Sequence, residues 1–110
     1  MANQYRGETS AVLDGRPWTL CLTLGALAEL ENAFQVGDMS ALVARFGGGT
    51  LSARDAVKII GAGLRGAGNS VDDDQVARMT ADGGAAGFAQ IVADLLTATF
   101  GSAEETSDPS

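Results

Sequence analysis

Apolar residues recur along this chain with two different periods, and the change falls near residue 23. From Gly7 to Leu13 the side chains alternate, with Glu8, Ser10 and Val12 against Thr9, Ala11 and Leu13. A period of two is that of a strand with one covered face. Asp14-Gly15 follows, a dipeptide suited to a type I′ turn, whose two central residues need positive φ. Arg16 to Thr23 then places Trp18, Leu20 and Leu22 on one face and Thr19, Cys21 and Thr23 on the other. The spacing predicts a β-hairpin over 7–23. Pro17 has no amide donor, so it belongs at the start of its strand or on an edge. A lone hairpin is marginal in water, so the Trp18–Leu20–Leu22 face needs cover from elsewhere in the chain.

After Thr23 the period lengthens to that of a helix. A first helix is predicted over 24–35, with Thr23 as its N-cap and Gly37 as its stop. Leu24, Leu27, Ala28, Leu30 and Phe34 share its apolar side. Asp38 caps a second, through Phe46, that carries Met39, Leu42, Val43 and Phe46. Gly47-Gly48-Gly49 breaks the chain, because three glycines together lose much backbone entropy on ordering. Ser52-Ala53-Arg54-Asp55 has the form of a capping box with Asp in the fourth place, and opens a third helix to Gly66. Val57, Ile60, Gly61 and Leu64 form its expected stripe. A second capping box, Asp72 with Gln75, and a Val71–Val76 staple start a fourth helix over 73–81, ended by Asp82-Gly83-Gly84. A fifth runs over 85–100 with Phe88, Ile91, Val92, Leu95 and either Leu96 or Thr99 inward. The fold class expected is α+β: an N-terminal hairpin and four to five short helices in one domain over 1–100, then an acidic, disordered tail over 101–110.

Composition narrows the class of partner. At 110 residues, with 45% apolar and 19% charged side chains, the chain has the make-up of one soluble globular domain. Its net charge is −7, and its seven basic residues are scattered with no two adjacent. Nucleic-acid binders cluster their basic residues, so direct contact with nucleic acid or with an anionic membrane is not expected. The N-terminal segment has no apolar stretch of signal-peptide type, and cytoplasmic action is expected.

Candidate chemistry is sparse. Histidine is absent and Cys21 is the sole cysteine, which removes the commonest general base and any thiolate metal cluster. Gly61-Ala62-Gly63-Leu64-Arg65-Gly66 matches the letters of a dinucleotide fingerprint, and Asp82 lies at a fitting distance. That mechanism needs a strand before the glycines and a helix N-terminus after them. Here they fall at the end of a predicted helix, so close packing is the expected role, with a small dinucleotide-binding or enzymatic domain as the alternative. If Gly61 lets another helix come close, Gly61→Leu overpacks that contact. Asp72-Asp73-Asp74 reads as a helix start and not as a cation loop, since it lacks EF-hand spacing. Glu29 and Glu31 are two apart, on different sides of a helix, and read as solvated. No catalytic, metal or cofactor residue is assigned.

Arg6-Gly7-Glu8, the hairpin, the run Leu22-Thr23-Leu24-Gly25-Ala26-Leu27-Ala28-Glu29-Leu30-Glu31, then Ser52-Ala53-Arg54-Asp55 and Gly63-Leu64-Arg65-Gly66-Ala67-Gly68, taken in that order, carry a resemblance. The chain resembles, over residues 5–100, the small tail protein of bacterial gene transfer agents, which are domesticated tailed-phage particles. That family is described both as tail-tube-like and as a phage tail assembly chaperone. The resemblance implies a non-catalytic role in tail assembly, with the tape-measure protein and other tail proteins as partners. A structural, tube-associated component kept in the particle is the alternative, and self-association stays open. Met39, Leu42, Val43 and Phe46, beside the glycine break, are the candidate partner-binding residues, with a place in the core as their other reading.

Overall fold

Asp14 and Gly15 adopt φ of 54° and 73°, the two positive values of a type I′ turn. The hairpin they close belongs to a computed structural model that describes residues 7–47 and 51–101. Strands β1 (Glu8–Leu13) and β2 (Arg16–Cys21) pair antiparallel, with Leu13 opposite Arg16 and Thr9 opposite Leu20. In a two-residue hairpin the closing pair is hydrogen-bonded and the next is not. Pro17, opposite Val12, therefore turns its missing donor outward. Thr9, Ala11, Leu13 and Leu20 are buried on one face, Trp18 is half-buried, and Val12 is exposed on the other. Trp18 Nε1 donates to the Leu13 carbonyl at 3.1 Å, and the Arg16 guanidinium lies 4.6 Å above its ring.

Five helices follow, as α1 (Leu24–Phe34), α2 (Met39–Gly47), α3 (Ala53–Gly66), α4 (Asp73–Ala77) and α5 (Gly84–Phe100). Thr23 Oγ1 accepts the Ala26 amide at 3.1 Å, as an N-cap does. The stop of α1 is Gln35, not Gly37. Gln35 takes the left-handed conformation, φ 57°, and lets the Val36 amide reach back to the Glu31 carbonyl. The helix is also turned from its expected side. Ala26, Leu27 and Leu30 are buried, whereas Leu24 is 77% exposed and Ala28 is exposed. Gly66 explains the rotation: a Cβ there would stand 3.3 Å from the Ala26 Cβ, so two small residues meet where α1 crosses α3.

α3 is the centre of the molecule. Both halves of its Ser52–Asp55 capping box form, and Ile59 to Leu64 are six consecutive buried residues. One buried stripe cannot produce such a run, because neighbouring helix residues point about 100° apart. The expected stripe was too narrow: β2, α1, α4 and α5 all pack against α3. Val57, counted inside that stripe, is only half-buried.

α4 starts as expected, with Asp72 and Gln75 bonding reciprocally at 2.8 and 2.9 Å. Val76 is buried, and Val71 packs at the edge of the core. The helix ends at Ala77, four residues short of its expected end, because the hairpin tip claims the next segment. The Asp14 amide donates to the Thr80 carbonyl, the Thr80 amide and hydroxyl both donate to Asp14 Oδ1, and Leu13 bridges to Ala81. In α5, Val92 and Leu95 are buried and Leu96 packs at the core edge, while the Thr99 hydroxyl bonds back to the Leu95 carbonyl. The architecture is thus the α+β arrangement of one hairpin and a short-helix bundle. Residues 48–50 of the glycine break and 102–110 of the expected tail lie outside the described residues.

Candidate functional site

The four residues singled out on α2 separate once placed. Leu42 is wholly buried. Phe46 stands edge-on to Phe34 of α1, with ring centroids 5.3 Å apart, and Arg45 lies over the same Phe34 ring and reaches Asp55 at 3.3 Å. Met39 and Val43 are exposed, at 45% and 43%.

The glycine fingerprint lies inside α3 and serves close approach. A Cβ on Gly63 would stand 2.7 Å from Leu95 Cδ2, and one on Gly66 would meet the carbonyl oxygen of Cys21. One on Gly61 would meet the Asp73 carboxylate, so it is the start of α4 that comes near there. These residues do not follow a strand and do not open a helix, since they are the last six of α3. Asp72 is a cap, while Asp73 bonds Arg65 at 3.0 Å. Glu29, exposed as expected, meets the same guanidinium at 2.7 Å. Arg65 also donates to the Val71 carbonyl and so fastens α1, α3 and the start of α4 together. Its hydrogen bond to Glu29 is the main reason its pKa is raised above that of a free guanidinium. The Cys21 thiol is pushed above 9.0, first by burial and then by the Glu8 charge, which makes it a poor nucleophile near neutral pH.

One concave feature of the described surface was not foreseen. An apolar groove of about 290 Å³ opens between α4, α5 and the first half of α3. Its walls are Ala53, Ala56, Val57 and Ile60 of α3, Val76, Ala77 and Met79 of and after α4, and Ala85, Phe88 and Ala89 of α5, with Leu51 and Ser52 at one end. Ser52 is its one polar lining residue, and the Ser52 hydroxyl caps α3 by accepting the Asp55 amide at 3.1 Å. Small-molecule sites combine apolar walls with placed polar groups. This groove has the walls, without convergent polar side chains, and so suits the apolar stripe of a helix. The signal was present in the sequence as alanines beside larger apolar residues: small side chains on both α3 and α5 leave the space open.

No helix among the described residues is long and apolar enough to cross a membrane. Searches found no match to a curated protein and none to a solved structure. A family model does match, across residues 6–102, and so over the hairpin and all five helices. Its description is phage tail tube protein, GTA-gp10, in agreement with the likeness carried by the hairpin and the helix-start motifs; the chain belongs to this family of phage and gene-transfer-agent tail proteins.

Proposed function

We propose that the chain is a non-catalytic chaperone of tail assembly, acting in the cytoplasm on a helical segment of the tape-measure protein. The observation that carries this reading is the open apolar groove between α3, α4 and α5. A long helical chain exposes apolar stripes until its partners arrive, and a groove of this kind covers such a stripe. Met39 and Val43, exposed on α2, add a second apolar contact, while Leu42 and Phe46 hold α2 in place from within. The net charge of −7 keeps an unliganded chaperone soluble.

The family's description favours a second reading, a structural tail component that stays in the particle. A tube is built from sheets that pair from subunit to subunit, and the described residues supply one two-stranded sheet. Co-expression with the tape-measure protein separates the two. The chaperone reading expects co-purification, together with few or no copies in purified particles by mass spectrometry. Failure to bind, with abundant copies in the particle, overturns it.

A further inference from the structure

We propose that Asp82-Gly83 is a site of spontaneous isoaspartate formation in the folded chain, and that Thr80 shields the other Asp-Gly dipeptide, Asp14-Gly15, from the same reaction. The inference is independent of what fills the groove.

Asp-Gly occurs twice in the chain, at 14–15 and at 82–83, and all four residues are exposed. In this dipeptide the glycine nitrogen can attack the side chain of the aspartate before it, because glycine has no Cβ to crowd the approach. The Gly83 amide gives up its proton, and its nitrogen bonds to Asp82 Cγ. One carboxyl oxygen leaves as water, and a five-membered succinimide closes. Water then opens the ring. Addition at Cγ restores aspartate, whereas addition at the main-chain carbonyl carbon leaves the chain running through Cβ and Cγ, as isoaspartate. Nothing is oxidised or reduced, and the water released is taken back.

Both dipeptides sit in turns that hold the glycine nitrogen away from the aspartate side chain. Asp14 is the first central residue of the type I′ turn, with φ 54°. The Gly84 amide donates to the Ala81 carbonyl at 3.0 Å and closes a second turn, in which Gly83 has φ 87° and ψ 0°, as in type II. Ring closure at either place therefore waits for its turn to open, and the bonds lost on opening set the rate.

At Asp14 those bonds are strong. Asp14 Oδ1 accepts the Thr80 amide at 2.8 Å and the Thr80 hydroxyl at 3.1 Å, and the Asp14 amide donates to the Thr80 carbonyl at 2.9 Å. A carboxylate held in this way does not turn toward Gly15. At Asp82 little is lost. Among the described residues no hydrogen bond or ion pair holds the Asp82 carboxylate. Opening gives up the Gly84 bond and the bond from the Gly87 amide to the Gly83 carbonyl, which is long at 3.4 Å, and no side chain caps α5 there. The Asp82 carbonyl lies against Gly87, where a Cβ would overlap it. Isoaspartate makes that carbonyl part of a free carboxylate and lengthens the main chain by one carbon. It does so at the start of the helix whose Ala85, Phe88 and Ala89 line the groove, so the first turn of α5 is the part expected to loosen.

The test ages the full chain at neutral pH, in buffer and separately in concentrated urea. Isoaspartate at each site is counted by peptide mapping with mass spectrometry, and checked by methylation with an isoaspartyl methyltransferase. In buffer Asp82 is expected to convert about tenfold or more faster than Asp14, because hydrogen bonds to a charged group each slow its release. In urea the two are expected to convert at similar rates. Thr80→Val removes the hydroxyl bond and is expected to speed Asp14 several-fold without changing Asp82, whereas Thr80→Ser keeps the hydroxyl and behaves as the parent. Asp14 converting as fast as Asp82 in the folded chain overturns the proposal. So does an Asp82 that stays intact in buffer while it converts in urea. A difference that persists in urea also overturns it, since the neighbouring sequence and not the fold would then set the order. An Asp14 rate unchanged by Thr80→Val removes the shielding role of that hydroxyl.

Discussion

Gly66→Ala adds one methyl group, and its effect on stability follows from what that methyl would meet. A Cβ at residue 66 overlaps the Cys21 carbonyl oxygen, lies 3.2 Å from the Cys21 carbonyl carbon and 3.3 Å from the Ala26 Cβ. Two of the three are backbone atoms of β2, so no rotamer change relieves the contact. The strand and helix must separate instead, and Leu20 and Leu64, both wholly buried nearby, lose packing. Overpacking of this kind costs about 1–3 kcal/mol and occasionally more. Replacing glycine near a helix end returns less than about 1 kcal/mol. The expected net loss is roughly 2 kcal/mol, which lowers Tm by about 8–16 °C for a domain of this size. Thermal and urea unfolding, followed by Trp18 fluorescence and far-UV circular dichroism, measure it. Gly25→Ala is the internal control. Gly25 is in the first turn of α1, and its nearest neighbour would be Thr23 Oγ1 at 3.8 Å, so the same change is expected to stabilise by about 0.5–1 kcal/mol. A Gly66→Ala protein as stable as the parent would refute the close approach of α3 to β2.

Other consequences are measurable in the same way. Arg65→Met is expected to cost about 1 kcal/mol at low salt and less in concentrated salt, because both of its carboxylate partners are nearly half exposed; an effect independent of salt would show that packing of the stem dominates. Asp72→Ala removes the cap of α4, with an expected loss of about 1 kcal/mol and a lower helical signal. Leu42→Ala is expected to cost about 2–5 kcal/mol, whereas Val43→Ala, one residue on and exposed, changes little; equal effects would mean α2 is rotated. The raised Cys21 pKa keeps the folded thiol protonated where the unfolded one ionises. Its contribution is therefore complete below pH 9.0, the unfolded value, and declines as pH rises toward the folded value. Urea titrations across that interval are expected to show the decline in the parent chain and not in Cys21→Ser.

The elements that sequence reveals best here are those whose signals are local. The Asp14-Gly15 turn, the Thr23 cap and the Ser52–Asp55 and Asp72–Gln75 boxes each depend on residues within a few positions, and each forms. What escaped depends on distant partners. The early end of α4 is caused by Asp14, 66 residues away in sequence from Thr80. The turn of α1 toward Ala26 depends on Gly66, and the pairing of the exposed Glu29 on Arg65, 36 residues on. The groove belongs to the same class. Ala56 and Ala89 look like ordinary helix formers until α3 and α5 are placed side by side, so alanine reads as propensity in sequence and as empty space in the fold.

Thr80 joins the groove wall to the sheet. Its amide and carbonyl are both held by Asp14, and Met79, one residue before it, lines the groove. A guest that widened the cleft by pushing this wall aside would have to drag the hairpin tip with it. The cleft is accordingly stiff on that flank, and its capacity to adapt resides in side chains such as Met79 and Phe88, not in a swinging helix.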